Sequence, residues 1–143
     1  MIGSVVGGKS LFRGTHLQVA LLGDSLTGRH YVGGSGSVLY ASNGWWNFSN
    51  WLVGDPCLFD VFGVGGDVLV PTSGSRGIGA RAWMIPKSFR AVIVCAGTND
   101  VLGLNDSSGD VAAWLAAYQA AAIALAQGLI GRGLKVVWTT ILP

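Results

Sequence analysis

The chain has 143 residues, of which half are apolar and only 11% are charged, and its formal net charge is +2. This composition excludes an intrinsically disordered chain and allows one domain with a sizeable core. The basic residues are scattered rather than clustered, which excludes a phosphate-binding track, so we predict no nucleic-acid partner. Residues 1–13 lack the apolar core of a secretory signal, and the sequence leaves the compartment undetermined.

A phosphate-loop pattern, Gly-x-x-x-x-Gly-Lys-Ser, occurs at residues 3–10 and in isolation indicates a nucleotide site. That loop works only between a strand and a helix, because backbone N–H groups and the helix terminus must converge on phosphate. Residues 1–2 are too few for the strand, and Gly14 interrupts the residues that follow. Nucleotide binding is therefore the weakest of three functional hypotheses.

Four apolar runs predict β-strands covered on both faces, at residues 17–22, 57–62, 91–96 and 135–142. A glycine-rich stretch at residues 28–44 predicts an irregular loop. Helical segments alternate with the later strands. This alternation predicts an α/β fold with a parallel sheet and helices on both faces.

The longest predicted helix begins at Ser107 or Ser108, with Asp110 in its first turn, and ends near Gly131 or Gly133. Its uncharged stretch is long enough to cross a bilayer. Alanine is far less hydrophobic than the leucine and isoleucine of membrane spans, so we predict a covered helix and no membrane span. A shorter helix is predicted over residues 75–85, before a proline.

Small polar motifs follow three of the four predicted strands. They read Gly-Asp-Ser-Leu at residues 23–26, Gly-Gly-Asp at residues 65–67 and Gly-Thr-Asn-Asp at residues 97–100. Because ligand sites of parallel sheets form outside the carboxyl ends of the strands, we expect the three motifs to meet. Ser25, delivered to that edge by a buried strand, is a candidate nucleophile.

These motifs, in this order and at these strand ends, resemble the conserved blocks of the GDSL family, also called SGNH hydrolases. The resemblance implies a three-layer, flavodoxin-like fold and a serine esterase without metal or cofactor. It implies that Ser25 attacks the acyl carbon. The backbone N–H groups of Ser25 and Gly66 and the side-chain amide of Asn99 would form the oxyanion hole, with Asp24 and Asp100 in supporting positions.

The general base of that family is absent, since the sequence contains no Asp-x-x-His. A serine hydroxyl without a base is a poor nucleophile at neutral pH. His16 precedes the first strand, at the opposite end of the sheet, and His30 lies in the glycine-rich loop. We therefore expect residues 1–143 to form one SGNH domain that lacks its C-terminal part. The Asp and His would come from a further segment or a second chain, and an uncovered fourth strand predicts self-association.

The sequence supports two functional hypotheses besides nucleotide binding. The first is hydrolysis of an acyl or carbohydrate ester. The alternative is a non-catalytic carbohydrate-binding module, in which Trp45 and Trp46 of a short predicted helix stack on sugar rings. A tryptophan-rich helix is more often part of a core, which favours the esterase.

Overall fold

The computed structural model describes residues 16–24, 27, 31–32, 37–38, 57–71, 77–106 and 110–139. The strands in chain order are β1 (Leu17–Gly23), β2 (Tyr31–Val32), β3 (Ser37–Val38), β4 (Cys57–Gly63), β5 (Ala91–Cys95) and β6 (Lys135–Trp138). The helices are α1 (Gly77–Ala82), α2 (Thr98–Asp106) and α3 (Val111–Gly131).

The four long strands form one sheet in the order β4-β1-β5-β6, and every neighbouring pair is parallel. Parallel neighbours need crossover connections, which here contain α1 between β4 and β5 and α3 between β5 and β6. All four strands therefore end at the same edge of the sheet. The predicted α/β, flavodoxin-like fold is confirmed.

The central strands β1 and β5 are buried, with Leu21, Leu22, Val92 and Val94 all inaccessible to solvent. The outer strands β4 and β6 instead alternate between partly buried and exposed residues. The prediction that all four strands are covered on both faces is therefore wrong for the outer pair. Among the described residues, each outer strand is paired with a neighbour on one side only.

The hydrophobic core lies between the sheet and the helices α1 and α3. The sheet contributes alternate residues of the central strands β1 and β5. The helical layer contributes residues of α1, of the turn that follows α1, and of α3. The principal members are Ala20, Leu22, Val92, Val94, Ile78, Ala82, Ile85 and Leu129. This packing fixes α1 directly behind the carboxyl ends of β1 and β4.

Helix α3 begins one residue after Asp110, whose carboxylate accepts hydrogen bonds from the N–H groups of Ala112 and Ala113. The predicted caps Ser107 and Ser108 are thus wrong, because an aspartate caps a helix as well as a serine does. The other end is as predicted. Gly133, at φ 85°, follows the last turn, and the N–H of Leu134 donates to Leu129 in a Schellman motif.

Helix α3 is also long and apolar enough to cross a membrane, and it is the one such helix among the described residues. Only 11% of its apolar window is buried inside the protein. Its inner face nevertheless packs on the sheet, through Leu129 in the core and Tyr118, Ala122 and Leu125 beside it. The absence of a membrane span stays a prediction.

Two further predictions change at the level of secondary structure. Helix α1 is shorter than the predicted 75–85 and begins at Gly77, whose φ of 64° suits glycine. The predicted irregular loop contains the antiparallel pair β2 and β3. Trp45, Trp46, His30 and the phosphate-loop pattern at residues 3–10 lie outside the described residues.

Candidate active site

The three polar motifs begin at one level of the sheet. Gly23, the last residue of β1, is in register with Gly63 of β4 on one side and Cys95 of β5 on the other. A hydrogen bond from the N–H of Val64 to the carbonyl oxygen of Gly23, 3.2 Å long, joins the first two strand ends. The predicted convergence of the motifs at the carboxyl edge is therefore present in the fold.

The serine motif starts in a buried turn. Asp24 and Thr27 are both buried, and the N–H of Thr27 donates to the carbonyl oxygen of Asp24 over 3.1 Å. A hydrogen bond across three positions is that of a β-turn, which begins here at Asp24. Ser25 and Leu26 themselves lie outside the described residues, so the turn fixes the two residues that flank them.

The glycine motif forms a second turn. The N–H of Asp67 donates to the carbonyl oxygen of Val64 over 3.3 Å, and Gly66 has a φ of 80°. A positive φ at the third position is what a type II turn requires, and this explains the glycine. Among the described residues no acceptor bonds the N–H of Gly66, and no atom lies within 4 Å of where a Cβ would stand.

Asn99 links the third motif to this turn. It lies in the first turn of α2, and its side-chain Nδ2 donates to the main-chain oxygen of Asp67 over 2.9 Å. The sequence analysis did not predict a helix beginning at Thr98. A carboxamide carries two N–H groups, so this bond orients the amide and uses one of them. The Asn99 amide is thereby bound to the residue that follows Gly66.

Asp100 anchors the segment that follows the glycine motif. It is 5% exposed, and its carboxylate accepts from the N–H groups of Leu69 and Val70 over 2.9–3.1 Å. Two consecutive residues of α2 therefore bind the 67–70 segment, Asn99 at its start and Asp100 at its end. Asp100 therefore holds the backbone that follows the glycine motif in place. Asp24 is also buried, directly before Ser25.

Arg81 of α1 is a site residue that the sequence analysis missed. Its Nε donates to the carbonyl oxygen of Phe62 over 2.7 Å, and one terminal nitrogen donates to that of Gly23 over 2.8 Å. The other terminal nitrogen forms an ion pair with Asp67. Burial lowers the pKa of Arg81 below its ordinary value, although a guanidinium remains charged at neutral pH.

A sequence signal for Arg81 did exist. Arg81 lies three residues after Ile78 and one before Ala82, which are both buried, so the helical period places the arginine next to the core face. In a chain with so few charges, an arginine at such a position needs buried acceptors.

Tyr118 fastens α3 to the strand end beside the site. Its hydroxyl donates to the carbonyl oxygen of Ala96 over 3.0 Å, and burial is the main cause that raises the pKa of Tyr118 above its ordinary 10.0. A raised tyrosine pKa contributes stability below pH 10 that is lost as pH rises from there through the folded-state pKa.

Tyr118→Phe removes both the hydrogen bond to Ala96 and the titration of the hydroxyl. We expect it to lower the free energy of unfolding by about 1 kcal/mol at pH 8, with the gap closing above pH 10 in urea titrations. A gap that is constant with pH would contradict this assignment.

Neither a base nor a metal is found at this edge among the described residues. His16 is partly buried at the amino end of β1, about 20 Å from the site by the length of the strand. No group of three His, Cys, Asp or Glu side chains in the described part could hold a metal ion. What the described part of the site does contain is a buried turn that begins at Asp24, an oriented Asn99 amide and a Gly66 N–H without an acceptor there.

We compared the chain with known proteins by sequence and by structure. No family model and no curated protein matches the sequence. Among solved structures, the chain is similar to AlinE4, an SGNH-hydrolase family esterase (TM-score 0.62, 18% identity, 91% of this chain and 62% of that chain). It is also similar to TesA, with a TM-score of 0.58 and 24% identity over 88% of this chain and 62% of that chain. A third similar structure is the psychrotrophic esterase EstA from Pseudoalteromonas sp., with a TM-score of 0.55 and 15% identity over 88% of this chain and 61% of that chain.

These similarities show the fold of the chain. The chain has the α/β fold of the GDSL or SGNH hydrolases, as the motifs predicted. It spans about three-fifths of the length of the structures it resembles.

Proposed function

We propose that this chain carries the nucleophile and the oxyanion hole of a serine ester hydrolase of the SGNH type. The observation that supports the proposal most strongly is the pairing of two N–H donors at one sheet edge. The N–H of Gly66 bonds no acceptor in the described part of the chain, and the amide of Asn99 is oriented by Asp67 next to it. The turn that begins at Asp24, the residue before Ser25 in the sequence, starts at the same level of the sheet.

The chemistry that these groups serve is acyl transfer. Attack by the Ser25 hydroxyl on an ester carbonyl places negative charge on the former carbonyl oxygen. Donors fixed in advance stabilise that charge without reorganising, and each contributes about 3–4 kcal/mol to lowering the barrier. In the proposal the second N–H of Asn99 and the N–H groups of Gly66 and Ser25 bind this oxygen. The proposed base takes the Ser25 hydroxyl proton and returns it to the leaving oxygen, so that the ester C–O bond breaks to release an alcohol and leave an acyl group on Ser25. Water then hydrolyses this acyl group to a carboxylic acid and restores the Ser25 hydroxyl.

The general base is proposed to come from outside residues 1–143, either from the same polypeptide or from a partner chain. The sequence has no Asp-x-x-His, and the one histidine in the described part lies at the far end of the sheet. The proposed substrate is a carboxylic ester, either a simple acyl ester or an acyl ester of a carbohydrate. Its support is the fold shared with two esterases, AlinE4 and EstA.

The test supplies the missing base from solution. Imidazole is added to the purified chain with p-nitrophenyl acetate, and the rate is compared with that of Ser25→Ala, which subtracts the direct reaction of imidazole with the ester. We expect an imidazole-dependent rate that requires Ser25 and that Asn99→Ala lowers about 100-fold, since one oxyanion donor is lost. Equal rates for the wild type and both variants would contradict the proposal.

A further inference from the structure

Arg81 binds three separate segments of the site edge with one side chain. Its acceptors are the carbonyl oxygens of Gly23 at the end of β1 and Phe62 at the end of β4, and the carboxylate of Asp67 in the glycine turn. The side chains of Arg81 and Asp67 are only 14% and 17% exposed. Partners of this kind, held away from water, constrain the backbone far more than a surface pair does.

Two of the three acceptors lie close in sequence to a residue of the proposed site. Gly23 lies two residues before Ser25, and Asp67 directly follows Gly66. The main-chain oxygen of Asp67 also orients the amide of Asn99, over 2.9 Å. A shift of Asp67 therefore moves both the N–H of Gly66 and the acceptor that holds Asn99.

We infer that Arg81 is a positioning residue, whose guanidinium holds the carboxyl end of β1 at Gly23 and the Gly66 turn at a fixed separation. The catalytic part of this inference rests on the proposed esterase function, but its geometric part does not. The planar guanidinium presents its donors in a rigid fork, so one side chain reaches all three acceptors. A lysine ammonium on a flexible stem keeps the charge for Asp67 and cannot reproduce that fork.

The geometric test uses amide NMR and hydrogen exchange on the 143-residue chain. In Arg81→Met we expect the Gly66 amide resonance to shift. We also expect exchange of the Val64 and Asp67 amides to rise about 10-fold, because the Asp67 bond closes the Gly66 turn and the Val64 bond joins the turn to Gly23. Arg81→Lys should give an intermediate effect and serves as the folded variant if the methionine variant is unstable.

Two controls separate positioning from general loss of stability. Arg90 is exposed, so Arg90→Met loses an arginine without touching the site. The amide of Leu134, in the Schellman motif at the far end of α3, should exchange at the wild-type rate in every variant. Unchanged Val64, Gly66 and Asp67 amides in Arg81→Met, or equal acceleration of Leu134, would overturn the inference.

The catalytic readout is the Ser25-dependent, imidazole-dependent ester hydrolysis. We expect kcat to fall about 100-fold in Arg81→Met with little change in KM, since a misplacement of 1 Å has that effect, and to recover in part in Arg81→Lys. A rise in KM alone would overturn the positioning role. If the wild type shows no Ser25-dependent rate, the esterase proposal fails, and the amide data still decide whether Arg81 sets the geometry.

Discussion

Gly23→Ala is expected to destabilise the folded chain severely. A Cβ at this position would stand 2.3 Å from the carbonyl oxygen of Cys95 and 2.4 Å from the Oγ1 of Thr27. The first clash is with backbone of a central strand, which is paired on both sides and cannot move aside. We expect a loss of roughly 4 kcal/mol or more in the free energy of unfolding, a large share of the stability of a domain this size.

The matched control is Gly128→Ala on α3. No atom lies within 4 Å of a Cβ there, so the change adds only the helix propensity of alanine, a gain of about 1 kcal/mol. Urea unfolding followed by circular dichroism measures both variants. A Gly23→Ala protein with a wild-type urea midpoint would show that the strand ends are not packed as described.

Asp100→Ala is expected to lower the free energy of unfolding by about 4 kcal/mol. The change leaves the N–H groups of Leu69 and Val70 without their acceptor, and each orphaned buried donor costs about 1–3 kcal/mol. The lost hydrogen bonds are also charge-assisted. The Asn99 amide donates to Asp67 in the same segment, residues 67–70. The Gly66 turn should therefore loosen together with residues 69–70.

Two variants calibrate this result. Asp100→Asn keeps one oxygen, and Oδ1 already accepts from both N–H groups, so its loss should be smaller. Asp110→Ala also removes a carboxylate that accepts from two backbone N–H groups, but at an exposed helix cap, where the expected cost is about 1 kcal/mol. Equal losses for Asp100→Ala and Asp110→Ala would mean that the buried anchor contributes nothing beyond a cap.

Local patterns were sufficient for the framework of the fold. Four apolar runs placed the long strands, and the polar motifs at their ends predicted where the loops meet. Parallel strands share one carboxyl edge, so this step needs only the order of the elements. Gly133 likewise marked the end of α3, because the left-handed residue of a Schellman motif is usually glycine.

The contacts that hold the site together could not be predicted in this way. Arg81 reaches Gly23, 58 positions earlier, and Asp100 reaches Leu69, 31 positions earlier. Such pairs depend on the packing of α1 against the sheet and on the position of α2 beside residues 67–70, which no local period encodes. The exposure of β4 and β6 was missed for a related reason, since an apolar run does not reveal whether its strand lies at an edge.

The central claim is that Ser25 is a nucleophile beside an oxyanion hole. A fluorophosphonate forms a stable adduct with an activated serine, and the structurally similar EstA is inhibited by monoethylphosphonate. The chain should be treated with a fluorophosphonate in the presence of imidazole, and its peptides analysed by mass spectrometry. We predict an adduct on Ser25 that forms about 100-fold more slowly in Asn99→Ala. No adduct on Ser25, or one whose rate is unaffected by Asn99→Ala, would contradict the claim.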